Sequence, residues 1–242
     1  MELDVVKSVS AAAVLLLAYM VRGIAGFGSG LIAVPLLAFM FPVQIVVPVV
    51  VLLDYIGSAS QGLKNYKQIA WREQVPLVPF SLIGVALGLT LLKSLTSATL
   101  TDALGVFVIV YAIYQLLPLP ELRGSRLFAV PCGLFGGGVG TLFGTGGPFY
   151  VIYFGLRSLD KSEFRATFAT NFLIDGAIRL AAYAAFGFFE PDVLLASIAA
   201  LPIVALALWS GGHVHTTMSR EGYARIISVL LLGSGAILLM KA

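Results

Sequence analysis

The sequence predicts an all-α polytopic membrane protein made of two inverted structural repeats, each a broken or re-entrant helical hairpin followed by three transmembrane helices. Three observations predict it. Of 242 residues, 59% are hydrophobic and 11% charged, which leaves too little polar surface to cover a water-soluble globule. Residues 103–120, 127–156 and 193–219 carry no formal charge, and apolar runs of that length match the hydrocarbon core of a bilayer. The second of these runs opens into Gly133-Leu134-Phe135-Gly136-Gly137-Gly138-Val139-Gly140, and then Gly144-Thr145-Gly146-Gly147-Pro148, which should break a helix at membrane depth. Broken membrane helices mark transport sites.

Apolar runs place helices near 8–22, 29–41, 43–63, 74–92, 99–117, 127–143, 147–156, 165–187, 191–210 and 223–240. The first stretch, Ser8 to Val21, leads into a glycine turn rather than a small-residue cleavage site, so it is expected to be retained. It meets the second helix at Gly23-Ile24-Ala25-Gly26-Phe27-Gly28-Ser29-Gly30, and both members of this pair are too short to cross comfortably. The third helix carries Asp54, Ser58, Gln61 and Asn65 on one stripe. Pro118 to Arg126, with its prolines and charges, is the expected linker between an N-terminal repeat, 1–117, and a C-terminal repeat, 127–242. The sixth and seventh helices form the second short pair. The eighth repeats the polar stripe with Thr167, Asn171, Asp175 and Arg179, and the ninth and tenth are again apolar. Phe27-Gly28-Ser29-Gly30 lines up with Phe143-Gly144-Thr145-Gly146, each followed by a short apolar helix with an early proline, which is the signature of duplication.

Basic residues test the topology. If each broken pair counts as one crossing, they divide almost evenly between the two sides. If each is a re-entrant hairpin, Lys7, Lys93 and Lys241 fall on one side, and Lys64, Lys67, Arg72, Arg123, Arg126, Arg157, Lys161, Arg165 and Arg220 on the other. That bias inverts the halves relative to each other, places both termini outside the cytoplasm and brings two helix tips together near the midplane.

The chemistry of such tips follows from the backbone. The first amides of a helix lack intrahelical acceptors and, with the helix dipole, present partial positive charge to an anion. The expected substrate-binding residues are therefore Gly28, Ser29, Gly30, Gly144, Thr145, Gly146 and Gly147, with Asn171 and Arg179 as the polar wall. Close helix packing accounts equally well for Gly136, Gly140 and Gly144, whereas Pro148 and the repeat-related hydroxyls favour a ligand. Asp175 and Arg179, one turn apart, form either a structural ion pair or an anion site with an ion-exchanging carboxylate. Asp54 has no basic residue one turn away on its own helix, with Arg22 and Arg179 the residues that could reach it through space, so Asp54 and Asp175 are the candidates for ion coupling. Arg22 is expected to snorkel toward an interface.

Other signals are weak. Cys132, the single cysteine, excludes an internal disulfide and reads as inert packing. His213 and His215 have no further ligand at metal spacing, so no metal or other cofactor is expected. Gly26 to Gly30 lacks the strand and the Gly-Lys-Ser/Thr of a nucleotide loop, and no nucleic-acid partner is expected. Tyr153, Tyr183, Trp71 and Trp209 lie near segment ends, as membrane-interface aromatics do. No nucleophile, base and orienting group share a depth, so an enzyme is not expected. The expected partners are a small anion, protons or another coupling ion, and the lipid bilayer; monomer and homodimer both stay open.

The duplication, the turn Gly26-Phe27-Gly28-Ser29-Gly30 with Pro35, the second copy ending Gly144-Thr145-Gly146-Gly147-Pro148, and Arg165-Ala166-Thr167 together resemble the sulfite exporter permeases of the TauE/SafE type over nearly the whole chain. The resemblance implies a cytoplasmic-membrane carrier for sulfite, sulfonates or related anions, mostly exporting and driven by an ion gradient. An anion channel built on the same tips and a non-transporting membrane scaffold are the alternatives.

Overall fold

The computed structural model describes residues 5–25, 28–61, 67–117, 124–157, 159–213 and 220–241, and these are all-helical. In chain order the helices are α1 (Val5–Ala25), α2 (Ser29–Leu37), α3 (Val43–Gln61), the single turn α4 (Trp71–Gln74), α5 (Leu77–Ser94), α6 (Ser97–Leu116), α7 (Ala129–Phe143), α8 (Gly147–Leu156), α9 (Lys161–Ala185), α10 (Pro191–His213) and α11 (Arg220–Lys241). A 3-10 turn at Arg126–Phe128 leads into α7. Every helix expected from the sequence is present, and α4 is an addition. Five segments are long and apolar enough to cross a membrane: Val5–Ile24, Trp71–Ser94, Ser97–Leu116, Arg126–Phe143 and Pro191–His213. Shorter apolar helices occupy Val43–Ala59, Gly147–Leu156 and Ile227–Met240.

Two expectations about length need correction. The helix of α1 runs 21 residues and the segment leading through α7 runs 18, so only the second member of each broken pair, α2 or α8, is short. Helix α9 begins at Lys161 rather than near 165, because Asp160 caps it: the Asp160 side chain accepts from the Ser162 and Glu163 amides, and Glu163 returns a bond to the Asp160 amide.

Both breaks are real and rest on left-handed glycines. Gly28, with φ 98°, precedes α2, and Gly144, with φ 67°, ends α7; this conformation costs an L side chain about 1–2 kcal/mol. The other two residues of the first turn, Gly26 and Phe27, lie outside the described residues.

Close packing of small residues fixes how the helices run. A Cβ on Gly133 would meet Leu77 and Phe80, one on Gly137 would strike Ser81, and one on Gly88 would meet Gly138 and Thr141, so α5 and α7 run parallel with their backbones nearly touching. Helices α1 and α10 also pack along their length. Their C-terminal ends meet at Gly23 and Gly211, so they too are parallel. By contrast Gly105 faces Gly235 and Leu239 while Gln115 accepts from Ser228, which makes α6 and α11 antiparallel. Between these pairs α3 and α9 cross near the centre, with Gly176 against the Tyr55 ring.

Candidate functional site

The two short helices start at the same place. A Cβ on Gly30 would lie 2.5 Å from the Gly144 carbonyl oxygen and 3.5 Å from Thr145 Cγ2, so the tip of α2 rests on the turn before α8. Neither helix carries a side-chain cap, and Pro148 occupies the first turn of α8, where its missing amide leaves no donor unsatisfied. Two small cavities flank the junction. One, about 20 Å³, is lined by Arg22, Gly28, Ser29, Gly30, Asp54, Gly144, Thr145 and Gly147 among others; the second, about 10 Å³, borders Asp54, Ser58, Gly144 and Arg179. Each has room for about one water, so an oxyanion enters only if the tips move apart.

Arg22 corrects the expectation of snorkelling. It is 4% exposed and turned inward, and its Nη1 donates to Asp54 Oδ1 at 2.5 Å and to Ser29 Oγ at 3.1 Å. Its Nη2 reaches the Asp54 carbonyl and Ser58 Oγ. Position explains this: Arg22 lies in the last turn of α1, where the helix dipole favours a cation, and the turn aims it at α3. Asp54 therefore has an ion-pair partner. Ser29 spends its hydroxyl proton on Asp54 Oδ1, at 2.7 Å. The carboxylate thereby sits at the electropositive start of α2, an anion supplied by the chain itself.

The second pair is wired differently. Arg179 Nη2 meets Asp175 Oδ2 at 2.5 Å, and both residues are buried. The other carboxylate oxygen, Oδ1, accepts from Ser81 and from Tyr150. Arg179 Nη1 donates to the Gly140 carbonyl near the end of α7, and glycine is needed there because a Cβ would lie 3.0 Å from that nitrogen. Asp175 is thus tied to α5 through Ser81 and to the first turn of α8 through Tyr150. Thr145 Oγ1 and Arg179 Nε are buried without a partner among the described residues, each a donor whose desolvation costs about 1–3 kcal/mol unless something accepts from it.

The glycine run serves both readings on different faces of α7. Gly133, Gly137 and Gly138 pack against α5, whereas Gly136 faces the Tyr150 ring and Gly140 faces Arg179. Of the expected site residues, Gly28, Ser29, Gly30, Asp54, Gly144, Thr145, Gly147 and Arg179 border the two cavities. Gly146 packs on Gly136 instead, and Asn171 and Asp175 stand behind the cavity wall along α9. In the polar stripe of α3, Asn65 lies outside the described residues, as does the Gln61 side chain. His215, Lys64 and Arg123 lie outside them too.

Sequence reasoning missed several members. Glu73, on α4, is buried and takes Arg126, Arg157 and the Tyr153 hydroxyl. Gln74 Nε2 donates to Asn171 Oδ1 at 2.9 Å. Tyr153 and Tyr183 are not interface aromatics: both are fully buried, and the Tyr183 hydroxyl donates to the Thr141 carbonyl at 2.6 Å. Trp71 and Trp209 are exposed. The signal for Gln74 and Ser81 was their seven-residue spacing, which puts two polar groups on one face of an otherwise apolar helix.

Interrupted, apolar helices whose broken ends converge on buried charge define a multi-pass membrane transporter. The chain belongs to the sulfite exporter TauE/SafE family, whose model matches residues 11–238. It is 28% identical over 227 residues to the probable sulfite/organosulfonate exporter TauE of Cupriavidus necator, covering 90% of this chain and 88% of that one. It is 26% identical over 192 residues to the probable inner membrane transporter protein TsaS of Comamonas testosteroni, covering 77% and 79%. No solved structure matches it.

Proposed function

We propose that the protein is an inner-membrane secondary carrier that exports sulfite, sulfonates or related small anions, binding them where the tips of α2 and α8 meet. One observation carries this: in the two cavities beside the turn before α8, two buried groups able to donate, Thr145 Oγ1 and Arg179 Nε, have no hydrogen-bond partner among the described residues. An oxyanion is an acceptor-only ligand, and it matches these donors together with the first amides of α8. Gly28, Gly30, Gly144 and Gly147 let the backbone approach it, Gly146 seats the turn against Gly136, and Ser29 with Asp54 closes the opposite wall. Asn171 extends the polar wall along α9.

An anion at Arg179 meets the Asp175 carboxylate, and like charges about 4 Å apart repel by about 4 kcal/mol at a surface-like dielectric. Protonating Asp175 removes that repulsion and frees the guanidinium. Asp175 is therefore the coupling carboxylate of this reading, because it shares Arg179 with the anion, whereas Asp54 and Arg22 pair at the other tip. Cavities this small fit alternating access better than an open channel.

The arrangement behind the site is a pair of inverted repeats joined through 118–126. If α1, α2, α3, α5 and α6 correspond to α7 to α11 in order, the parallel pairs α1–α10 and α5–α7 exchange with each other. The antiparallel pair α6–α11 maps onto itself. Among the topologies considered from sequence, two re-entrant hairpins account for all three directions; hairpins crossing the membrane once each would make α6 and α11 parallel. The face carrying Lys67, Arg72, Arg126, Arg157 and Arg165 is then cytoplasmic. Uptake of sulfite, sulfoacetate, sulfate and chloride into proteoliposomes tests the function. Saturable flux of the sulfur oxyanions that responds to a proton gradient is expected, and absence of anion flux with folded protein overturns the reading.

A further inference from the structure

We propose that the anion enters from the basic face through the seam between α4–α5 and α9, and that the side-chain amides of Gln74 and Asn171 form a binding station on the way to Arg179. The proposal rests on the carrier reading above and adds the route.

The seam is polar at successive levels. The Ala70 amide donates to Thr167 Oγ1 at 2.8 Å, Gln74 pairs with Asn171, and Ser81 with Asp175. Thr167, Asn171, Asp175 and Arg179 climb α9 one turn at a time, so groups lie about 6 Å apart and a dehydrated anion can pass from one to the next. Separating polar surfaces exposes groups that water and anions solvate well, which makes this seam cheap to open. The contact of α3 with α10 is of another kind, with Gly57 against the Leu208 side chain.

The amide pair is chemically incomplete. Gln74 and Asn171 are 1% and 2% exposed, yet Gln74 Oε1 and Asn171 Nδ2 have no partner among the described residues. Turning both amides over exchanges their roles and still leaves one NH2 group without an acceptor. Continuing inward, Arg179 Nε and then Thr145 Oγ1 are the next donors without acceptors. The sequence of spare groups runs from near the basic face to the tip of α8, and donors fit an anion or its sulfonate head. At the outer end Arg126 and Arg157 share one carboxylate, Glu73, so the mouth carries excess positive charge that draws anions and repels cations.

The test uses the full-length protein with Cys132→Ser, which removes the only thiol. Gln74→Cys and, separately, Asn171→Cys are exposed to a membrane-impermeant maleimide from either side of oriented proteoliposomes. Sulfoacetate serves as the protecting anion, because sulfite itself adds to maleimides. The expected result is modification from the basic face that sulfoacetate slows. Modification that is absent, confined to the opposite face or indifferent to sulfoacetate overturns the route. Wild-type flux measured in the same vesicles separates the two ideas, since anion flux with an unreactive seam rejects the route alone, and no flux rejects the carrier. Gln74→Glu gives an independent reading: a carboxylate at the station should raise the half-saturating anion concentration by about tenfold in the protein that remains folded, with thermal stability lowered because the position is buried. An unchanged value argues against the station.

Discussion

The two helix tips share a backbone plan and differ in what faces it. At α2 the electropositive end is met by Asp54, which Ser29, Ser58 and Arg22 hold in a closed set of hydrogen bonds. At α8 the nearby carboxylate, Asp175, is drawn off by Ser81 and Tyr150, and Thr145 is left without a partner. One tip is thus neutralised by the chain's own carboxylate, and the other keeps buried polar groups without a partner among the described residues. The lesson concerns buried ion pairs: the same Arg–Asp chemistry can be closed by neighbouring hydroxyls, as at Asp54, or leave buried groups over, as beside Arg179, and the proposed binding role rests on the second.

Paired replacements give the largest test of that contrast. Arg179→Met with Asp175→Leu should fold, since apolar replacement of a complete buried pair is often neutral, while anion affinity drops about 100-fold or more in the proteoliposome assay. Arg22→Met with Asp54→Leu should retain saturable flux. Arg22→Met alone leaves Asp54 unpaired and should cost about 3–5 kcal/mol in denaturant or thermal unfolding. Loss of flux in the first-tip double variant, with the fold intact, would break the comparison.

Alanine at the tips comes next. Gly144→Ala must adopt a positive φ and should lose about 1–2 kcal/mol of stability. Gly30→Ala drives a methyl into the Gly144 carbonyl and should also impair flux, because the tips are forced apart.

Hydroxyl deletions sharpen the contrast through opposite signs. Ser29→Ala breaks a satisfied network and should lower stability by about 1–2 kcal/mol with affinity little altered; Thr145→Val removes an unpartnered group, so stability holds while affinity falls about tenfold. Calorimetry beside uptake kinetics distinguishes them. Smallest is Tyr183→Phe, where loss of the bond to the Thr141 carbonyl should cost about 1 kcal/mol and leave flux unchanged.

The helices and both breaks were legible in sequence, because bilayer thickness imposes length and apolarity on every span and few residues besides glycine tolerate the turns at 28 and 144. Polar stripes on α3 and α9 were legible for the same reason, since intramembrane polar groups are conspicuous. Partnership was not. Whether Arg22 turns outward or inward depends on α3 meeting α1, and whether Tyr153 and Tyr183 lie at an interface or in the core depends on neighbours distant in the chain. Glu73 escaped notice because an acid near a helix start is ordinary, and only the fold brings Arg126 and Arg157 to it. The start of α9 was written plainly in Asp160 and Glu163, but an apolar-run criterion passes over a capping box made of charges.

The small-residue contacts joining α1 to α10 and α5 to α7 bear on how the chain is made. Gly23 leaves the ribosome nearly two hundred residues ahead of Gly211, so the first hairpin enters the membrane before the surface it docks on has been translated. Its final seating is therefore post-insertional, and a ribosome-stalled or truncated product ending before α10 should present that unsatisfied helix face to quality-control proteases.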